Sequence, residues 1–290
     1  MLRKKLKFEL YDVIIFLILT IWAVLIVFPF VNVIALSFST ETEYLQTPYM
    51  FFPTRPTLDN FRRLFTGDQI FIGYRTTLML VAFGLPYNLF LTITLAFAMS
   101  RPAFPGKKFF LMVFIFTMYF SGGIVPLYLW LMQLRLINTL WSVILPYGVN
   151  IFYFLIVRNY ISALPVSISE SARIDGAGEW RVLFRIILPI CQPIIATFAL
   201  FYAVDRWNEW YHPMIFIRRQ SIIPLQVVLR NIVIVSESAM AGKADMGSGF
   251  LFSIGLQMAA VIVTLAPIML VYPFLQKYFV KGMTIGSVKS

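Results

Sequence analysis

The chain has 290 residues, 60% of them hydrophobic, one cysteine, one histidine and a net charge of +11. A mean hydropathy of +0.81 excludes an ordinary soluble globule and makes the bilayer the solvent for most of the chain. Cys191 alone cannot form an intrachain disulfide, and with His212 as its sole companion no usual zinc or iron site can be assembled. No arginine-rich block or aromatic-basic interleave accompanies the charge, which points away from nucleic acid and toward basic loops facing anionic lipid.

In chain order, the basic terminus Arg3, Lys4, Lys5 and Lys7 precedes an apolar run over 13–36. That run is too long for a signal-peptide core and lacks a small-residue cleavage site. It is predicted to be a retained first span, basic end inside, bent at Pro29. Residues 37–75 are turn-rich, with Pro48, Pro53 and Pro56 favouring an extended or turned path, and form an external loop. Within it Thr57 or Asp59 can cap a short helix, Asn60 to Phe65.

A second span is predicted over 76–99, interrupted near Gly84 and Pro86 and followed by a basic turn from Arg101 to Lys108. The third, 109–131, contains Ser121, Gly122, Gly123 and Pro126. Loosened backbone at membrane depth survives only where protein or a water-filled cavity covers it. Gly122 and Gly123 are therefore candidate pathway-lining positions, with close helix packing as the alternative. The fourth span, 140–157, returns inward, and the fifth, 186–204, leads out to Asp205, Arg206, Trp207 and Glu209 at the outer interface. Residues 205–249 form a second external loop, its stretch from Ser236 to Gly249 a mobile tether. A last span, 250–274, leads to a cytoplasmic tail. Asn88, Thr92, Thr94 and Asn150 are polar groups inside spans, where such side chains usually bridge helices.

Six spans with both termini inside agree with the charge distribution. The inward segments hold fourteen of the 24 basic residues in about sixty residues; the external segments hold ten in about ninety.

One polar interruption remains, residues 165–189, lying inside on this topology. Pro165 cannot continue the preceding helix, and Ser167 or Ser169 can cap a new one. Glu170 falls in its first turn, able to pair with Arg173. Gly176 and Gly178 break the helix, and a second begins at Glu179 and runs into the next span through Leu188 and Pro189. The small side chains of Ser171, Ala172, Gly176 and Ala177 would admit a foreign protein surface close to the backbone.

The order Glu170-Ser-Ala172, Asp175-Gly176-Ala177-Gly178, then Ile186-x-Leu188-Pro189 resembles the EAA loop of permease subunits from binding-protein-dependent ABC importers, with Ser171 where alanine is usual. Pro56 to Phe61, Ser121 to Gly123, Asn138-Thr139, Ile144 to Pro146, Pro224 to Gln226 with Leu229 to Asn231, and Tyr272 to Val280 are similar to the LplC-like and YtcP-like branch of the maltose-type carbohydrate permeases. The resemblance implies a single all-α membrane domain over 1–290 with the type I importer (MetI-like) permease fold, in a bacterial cytoplasmic membrane. It implies an ATPase-coupling set of Glu170, Ser171, Ala172, Asp175, Gly176, Ala177, Gly178, Leu188 and Pro189. It also implies a tail, with Gly282, Gly286 and Lys289, that reaches the ATPase.

The implied partners are a second homologous permease, a dimer of ABC ATPases, a periplasmic or lipid-anchored solute-binding protein and an oligosaccharide. No cofactor is expected on this chain; ATP and Mg belong to the ATPase. Consistent with that, the sequence has no G-x-x-x-x-G-K phosphate loop and no nucleophile, base or metal set of an enzyme. The implied cargo is an oligosaccharide or polysaccharide fragment, acidic uronate glycans among the options, for which the external Arg62, Arg63, Arg75, Arg135, Arg218 and Arg219 would suit. Tyr119, Tyr147 and Trp207 join Gly122 and Gly123 as pathway candidates, with Tyr153 another aromatic able to stack on a sugar. The competing classes are an ion-coupled carrier, which needs ionisable groups near the midplane, and an ABC permease for a non-sugar solute.

Overall fold

The computed structural model describes the backbone over residues 10–240 and 254–287, and side chains over 11–234 and 254–271. Every regular element among the described residues is helical. Contacts divide the chain into two compact units, residues 1–68 with 229–266, and residues 69–228 with 267–290.

In the first unit, α1 (Leu10–Ser37) runs unbroken through Pro29. Its side chains from Tyr11 to Phe30 are exposed and almost wholly apolar, as a lipid-facing surface requires. Its end is different: Ala35 and Leu36 pack with Met50, Tyr44, Ile254 and Met258. The turn-rich segment holds the expected short helix, α3 (Asp59–Phe65), and also α2 (Glu41–Gln46), which was not expected. Thr40 caps α2 through the Glu43 N–H, and the Glu43 carboxylate accepts the Thr54 N–H. Buried Asn60 on α3 donates to the carbonyls of Ser37 and Ser39 at 3.0 and 2.9 Å, satisfying acceptors that the end of α1 leaves open. Gly255 lies against that amide, and a Cβ there would run into it. Gly255→Val should therefore displace Asn60 and lower the melting temperature, whereas an exposed change such as Phe52→Leu should not; equal melting of all three would exclude this contact.

The second unit is built on α4 (Gln69–Ser100), which is continuous where an interruption was expected. Gly84 is there for a different reason: a Cβ would sit 2.9 Å from the Arg206 Nε. Small and polar residues line the buried side of α4. Gly73 abuts the Leu225 backbone, and Thr77 accepts the Leu225 N–H at 3.0 Å.

Three expected spans are broken. The third is α5 (Lys107–Tyr119) and α6 (Ile124–Gln133), bent by 108° across Phe120 to Gly123, with Gly123 at φ +86°. The fourth is a single turn, α7 (Trp141–Ile144), irregular backbone over Leu145 to Asn150, then α8 (Ile151–Ser162). Asn150 caps α8 by accepting the N–H groups of Phe152 and Tyr153. Next come α9 (Val166–Ile174) and α10 (Glu179–Ile190), the latter containing a π turn over Leu183–Ile187. α11 (Gln192–Trp207) follows the break at Cys191, the fifth span being bent by 87° there.

Beyond it, the expected outer loop contains α12 (Tyr211–Phe216) and α13 (Leu225–Met240). Ser236 to Met240 are thus helical rather than a tether; residues 241–249 lie outside the described residues. α14 (Ile254–Ser287) carries the last span and the expected tail as one helix that includes Gly282 and Gly286. Lys289 lies outside the described residues. Among the described residues three helices are long and apolar enough to cross a bilayer, and up to six spans result when each bent pair counts as one.

Candidate functional site

Two places in the second unit concentrate polar chemistry: the hairpin of α9 and α10, and a cavity beside the broken fourth span.

α9 starts at Val166 behind Pro165, ahead of both expected serine caps, Ser167 and Ser169, and no side chain caps it. Glu170 consequently falls in the second turn rather than the first. The helix ends in a Schellman arrangement: Gly176, at φ +80°, donates to the Arg173 carbonyl and Ala177 to that of Ala172, both at 2.9 Å. A glycine suits this position because an L side chain is strained there. Arg173 pairs with Glu179, not with Glu170. Its Nε donates to Glu179 Oε1 at 2.7 Å, while Arg101 at the end of α4 donates to Oε2 at 2.9 Å. Arg101 itself stacks on Phe97, 3.9 Å from the ring centre. One carboxylate thus closes the glycine turn and ties it to α4, so the turn is braced and not a free hinge.

Burial sorts the coupling candidates. Ala172 belongs to the core with Val182, Leu183, Ile187, Phe97 and Phe154. Ala177 and Leu188 pack against that core from partly buried positions. Glu170, Ser171, Asp175, Gly176, Gly178 and Pro189 are exposed. The exposed members form a small-residue surface on a rigidly seated hairpin.

The Arg173 guanidinium, then the Arg101 charge, holds the Glu179 carboxyl below its ordinary value despite partial burial. A depressed carboxyl contributes stability that is present above its unfolded value and lost as pH falls through the folded one. Protection of the α9–α10 amides from hydrogen exchange should therefore be level from pH 8 to 6 and decline only below about pH 4.5. Glu179 is half exposed, so the effect is modest, and Glu179→Gln should flatten the profile. An unchanged decline in that variant would assign the acid sensitivity elsewhere.

The second place is built around Arg206, which the charge pattern had put at the outer interface. It is 4% exposed. Its Nε donates to Asn88 Oδ1 at 3.0 Å, its Nη1 to the Val143 carbonyl at 2.9 Å, and its Nη2 to the carbonyls of Tyr147 at 2.9 Å and Ile144 at 3.5 Å. Asn88 Nδ2 completes the set by donating to the carbonyls of Tyr147 and Gly148. Pro146 and the irregular turn free these carbonyls from helical pairing, and the guanidinium, with its five donors, meets them. Thr92 and Tyr202 share a hydrogen bond at 2.7 Å, so the Asn88 and Thr92 side chains do bridge helices; Tyr202 Oη also accepts the Asn150 backbone N–H, while the Asn150 side chain caps its own helix. Thr94 instead bonds within α4.

A cavity of about 490 Å³ opens against this frame. Its wall includes Tyr147, Asn150, Tyr153, Asp205, Glu209 and Trp210. Tyr153 donates to Asp205 at 3.0 Å; Glu209 meets His212 Nδ1 at 3.0 Å, and the His212 ring lies 4.0 Å from that of Tyr147. Of the pathway candidates Tyr147 lines this cavity, together with Tyr153, the further aromatic able to stack on a sugar. Trp207 is buried in a separate, apolar recess near Tyr74, and Tyr119, Gly122 and Gly123 are exposed at the α5–α6 break. The signal for the missed residues was the one-face spacing of Tyr202 and Asp205 or Arg206 on a helix that continues past the apolar run to Trp207, with Glu209 just beyond its end.

A family model described as "Binding-protein-dependent transport system inner membrane component" matches residues 69–285. Protein LplC of Bacillus subtilis (strain 168) is 39% identical over 263 residues, 91% of this chain and 89% of that protein. The polygalacturonan/rhamnogalacturonan transport system permease protein YtcP of the same organism is 37% identical over 284 residues, 98% of this chain and 99% of YtcP. Among solved structures, a bacterial ABC transporter involved in the import of the acidic polysaccharide alginate contains a chain superposing with a TM-score of 0.83. That chain is 26% identical, with 96% of this chain and 100% of that one covered.

Proposed function

This chain belongs to the family of binding-protein-dependent transport system inner membrane components, and from that membership we propose that it is the permease subunit of an ATP-driven importer of oligosaccharides or polysaccharide fragments. It is a transport subunit of the inner membrane and not an enzyme. A binding-protein-dependent permease works with an ATPase and a solute-binding protein. We extend this to a second, homologous permease sharing the pathway, with ATP and Mg2+ held by the ATPase subunits. The sugar reading is supported by the polysaccharide cargo in the names of YtcP and of the alginate transporter.

The observation that carries the mechanism is the braced hairpin. Its exposed surface, Glu170, Ser171, Asp175, Gly176 and Gly178, is where the ATPase docks, while Ala172 anchors it from within. Because Val182, Leu183 and Ile187 join it to the core of α4 and α8, a displacement of the hairpin moves the second unit's helices instead of dissipating in a loop. On the far side of that core, the cavity with Tyr147 and Tyr153 is the place on this chain where sugar passes. The Glu170 carboxylate is exposed and not paired with Arg173, so Glu170→Arg leaves the fold intact and reverses one charge on the docking surface. Co-purification of the ATPase with the Glu170→Arg complex should drop several-fold, a loss of about 1 kcal/mol. Unchanged recovery of the ATPase would remove Glu170 from the surface.

A further inference from the structure

The walls of the cavity carry two carboxylates, Asp205 and Glu209, and one cation, Arg206. The relatives' names point to uronate polymers, yet the two acidic groups lining the cavity, Asp205 and Glu209, would face any uronate carboxylate placed there. The single cation in the wall, Arg206, has its donors turned away from the cavity and grips no sugar carboxylate directly. Its Nε and both terminal nitrogens point at Asn88 and the carbonyls of Val143, Ile144 and Tyr147, and it is 4% exposed. His212 touches Glu209 from behind the wall, through the oxygen Oε1.

We propose that Asp205 and Glu209 are specificity-determining residues that make this cavity a subsite for an uncharged sugar unit. This rests on the importer reading above and narrows it. Carboxylates are acceptors only, and the sugar hydroxyls supply the donors they lack. Asp205 already takes the Tyr153 hydroxyl on Oδ2, which leaves Oδ1 for a sugar hydroxyl. The Tyr147 and Tyr153 rings supply apolar faces for the C–H side of a pyranose. A uronate in the same place puts carboxylate against carboxylate in a partly desolvated wall, and like-charge juxtaposition of this kind costs several kcal/mol. A carboxylated substrate must then carry its acidic units past another surface, with this chain gripping neutral units or none.

The test uses the assembled transporter in lipid nanodiscs, with Trp210 in the cavity wall as reporter. A Trp210→Phe complex supplies the fluorescence background. The probes are α-1,4-galactotriose and α-1,4-trigalacturonate, which differ only in a hydroxymethyl against a carboxylate on each ring. Galactotriose should quench Trp210 and bind at least about tenfold more tightly than trigalacturonate. In the Asp205→Asn/Glu209→Gln complex, whose amide oxygens keep the contacts to Tyr153 and His212, that ratio should fall to about one. Equal or tighter binding of trigalacturonate by the unaltered complex would overturn the proposal, as would an unchanged ratio in the double variant or no binding of either trisaccharide. ATP-dependent uptake of the same sugars into vesicles is followed in parallel. Persistent ATP-driven uptake with a failed titration sinks only the selectivity, whereas carbohydrate uptake that ignores ATP sinks the importer itself.

Discussion

Arg206→Met is expected to destabilise the folded chain by about 3–5 kcal/mol, the cost of removing one partner from a buried charged network. Methionine fills much the same space, so packing is not the issue. Its loss is donors: the carbonyls of Val143, Ile144 and Tyr147 and the Asn88 Oδ1 would all face an apolar chain. Each buried acceptor left unmet costs about 1–3 kcal/mol, with relaxation and entering water reducing the total. Arg206→Lys should recover only part of the loss, because an ammonium is a point donor and cannot span Asn88 and three carbonyls at once. Equilibrium unfolding of the purified chain in detergent micelles measures all three forms. A methionine variant as stable as the parent would mean that the irregular stretch Leu145 to Asn150 is held by something other than this guanidinium.

The second large effect is expected at Gly176. A Cβ there meets nothing within 4 Å, so the chain itself has room for a side chain. The backbone, at φ +80°, adds strain of about 1–2 kcal/mol for any L residue. Gly176→Trp should therefore fold, and its bulk should hold the ATPase off the hairpin. Substrate-stimulated ATP hydrolysis by the reconstituted complex should fall to the rate of the ATPase without its permeases. Gly176→Ala carries the same strain without the bulk and should keep most of the stimulation. If the tryptophan variant retained full stimulation, the docking surface would lie elsewhere; if alanine did equal damage, backbone geometry rather than close approach would be the cause.

The hairpin was legible in the sequence because charges cannot stay in hydrocarbon, and because Gly176 and Gly178 punctuate a helix wherever they stand. What escaped was its bracing. Glu170 and Arg173 have the right spacing to pair, yet Glu179 reaches Arg173 across the turn and Arg101 from a distant helix, a choice that only the folded chain makes. The broken spans were hidden for a related reason. An apolar run such as 140–157 looks the same whether its backbone is helical or irregular, and the irregular form becomes tolerable only when a donor arrives from elsewhere. That donor, Arg206, looked like an interfacial charge because the apolar run stops at Val204, whereas α11 continues to Trp207 and turns the guanidinium inward. The break at Cys191 lies between Pro189 and Pro193, and each proline alone is compatible with the first turn of a new helix. Residues 37–68 hid a small folded cap because its key contact, Asn60 to the end of α1, joins residues more than twenty positions apart.

Uptake of radiolabelled oligosaccharide into proteoliposomes, with and without the companion subunits, is the decisive measurement. With the ATPase, the second permease, the binding protein and internal ATP all present, sugar should accumulate against its gradient, and leaving out any one of them should reduce uptake to leak. Vesicles holding this chain alone should show neither uptake nor ATP hydrolysis. Concentrative uptake by the lone chain would show that it carries its own driving mechanism and contradict its role as a permease worked from outside.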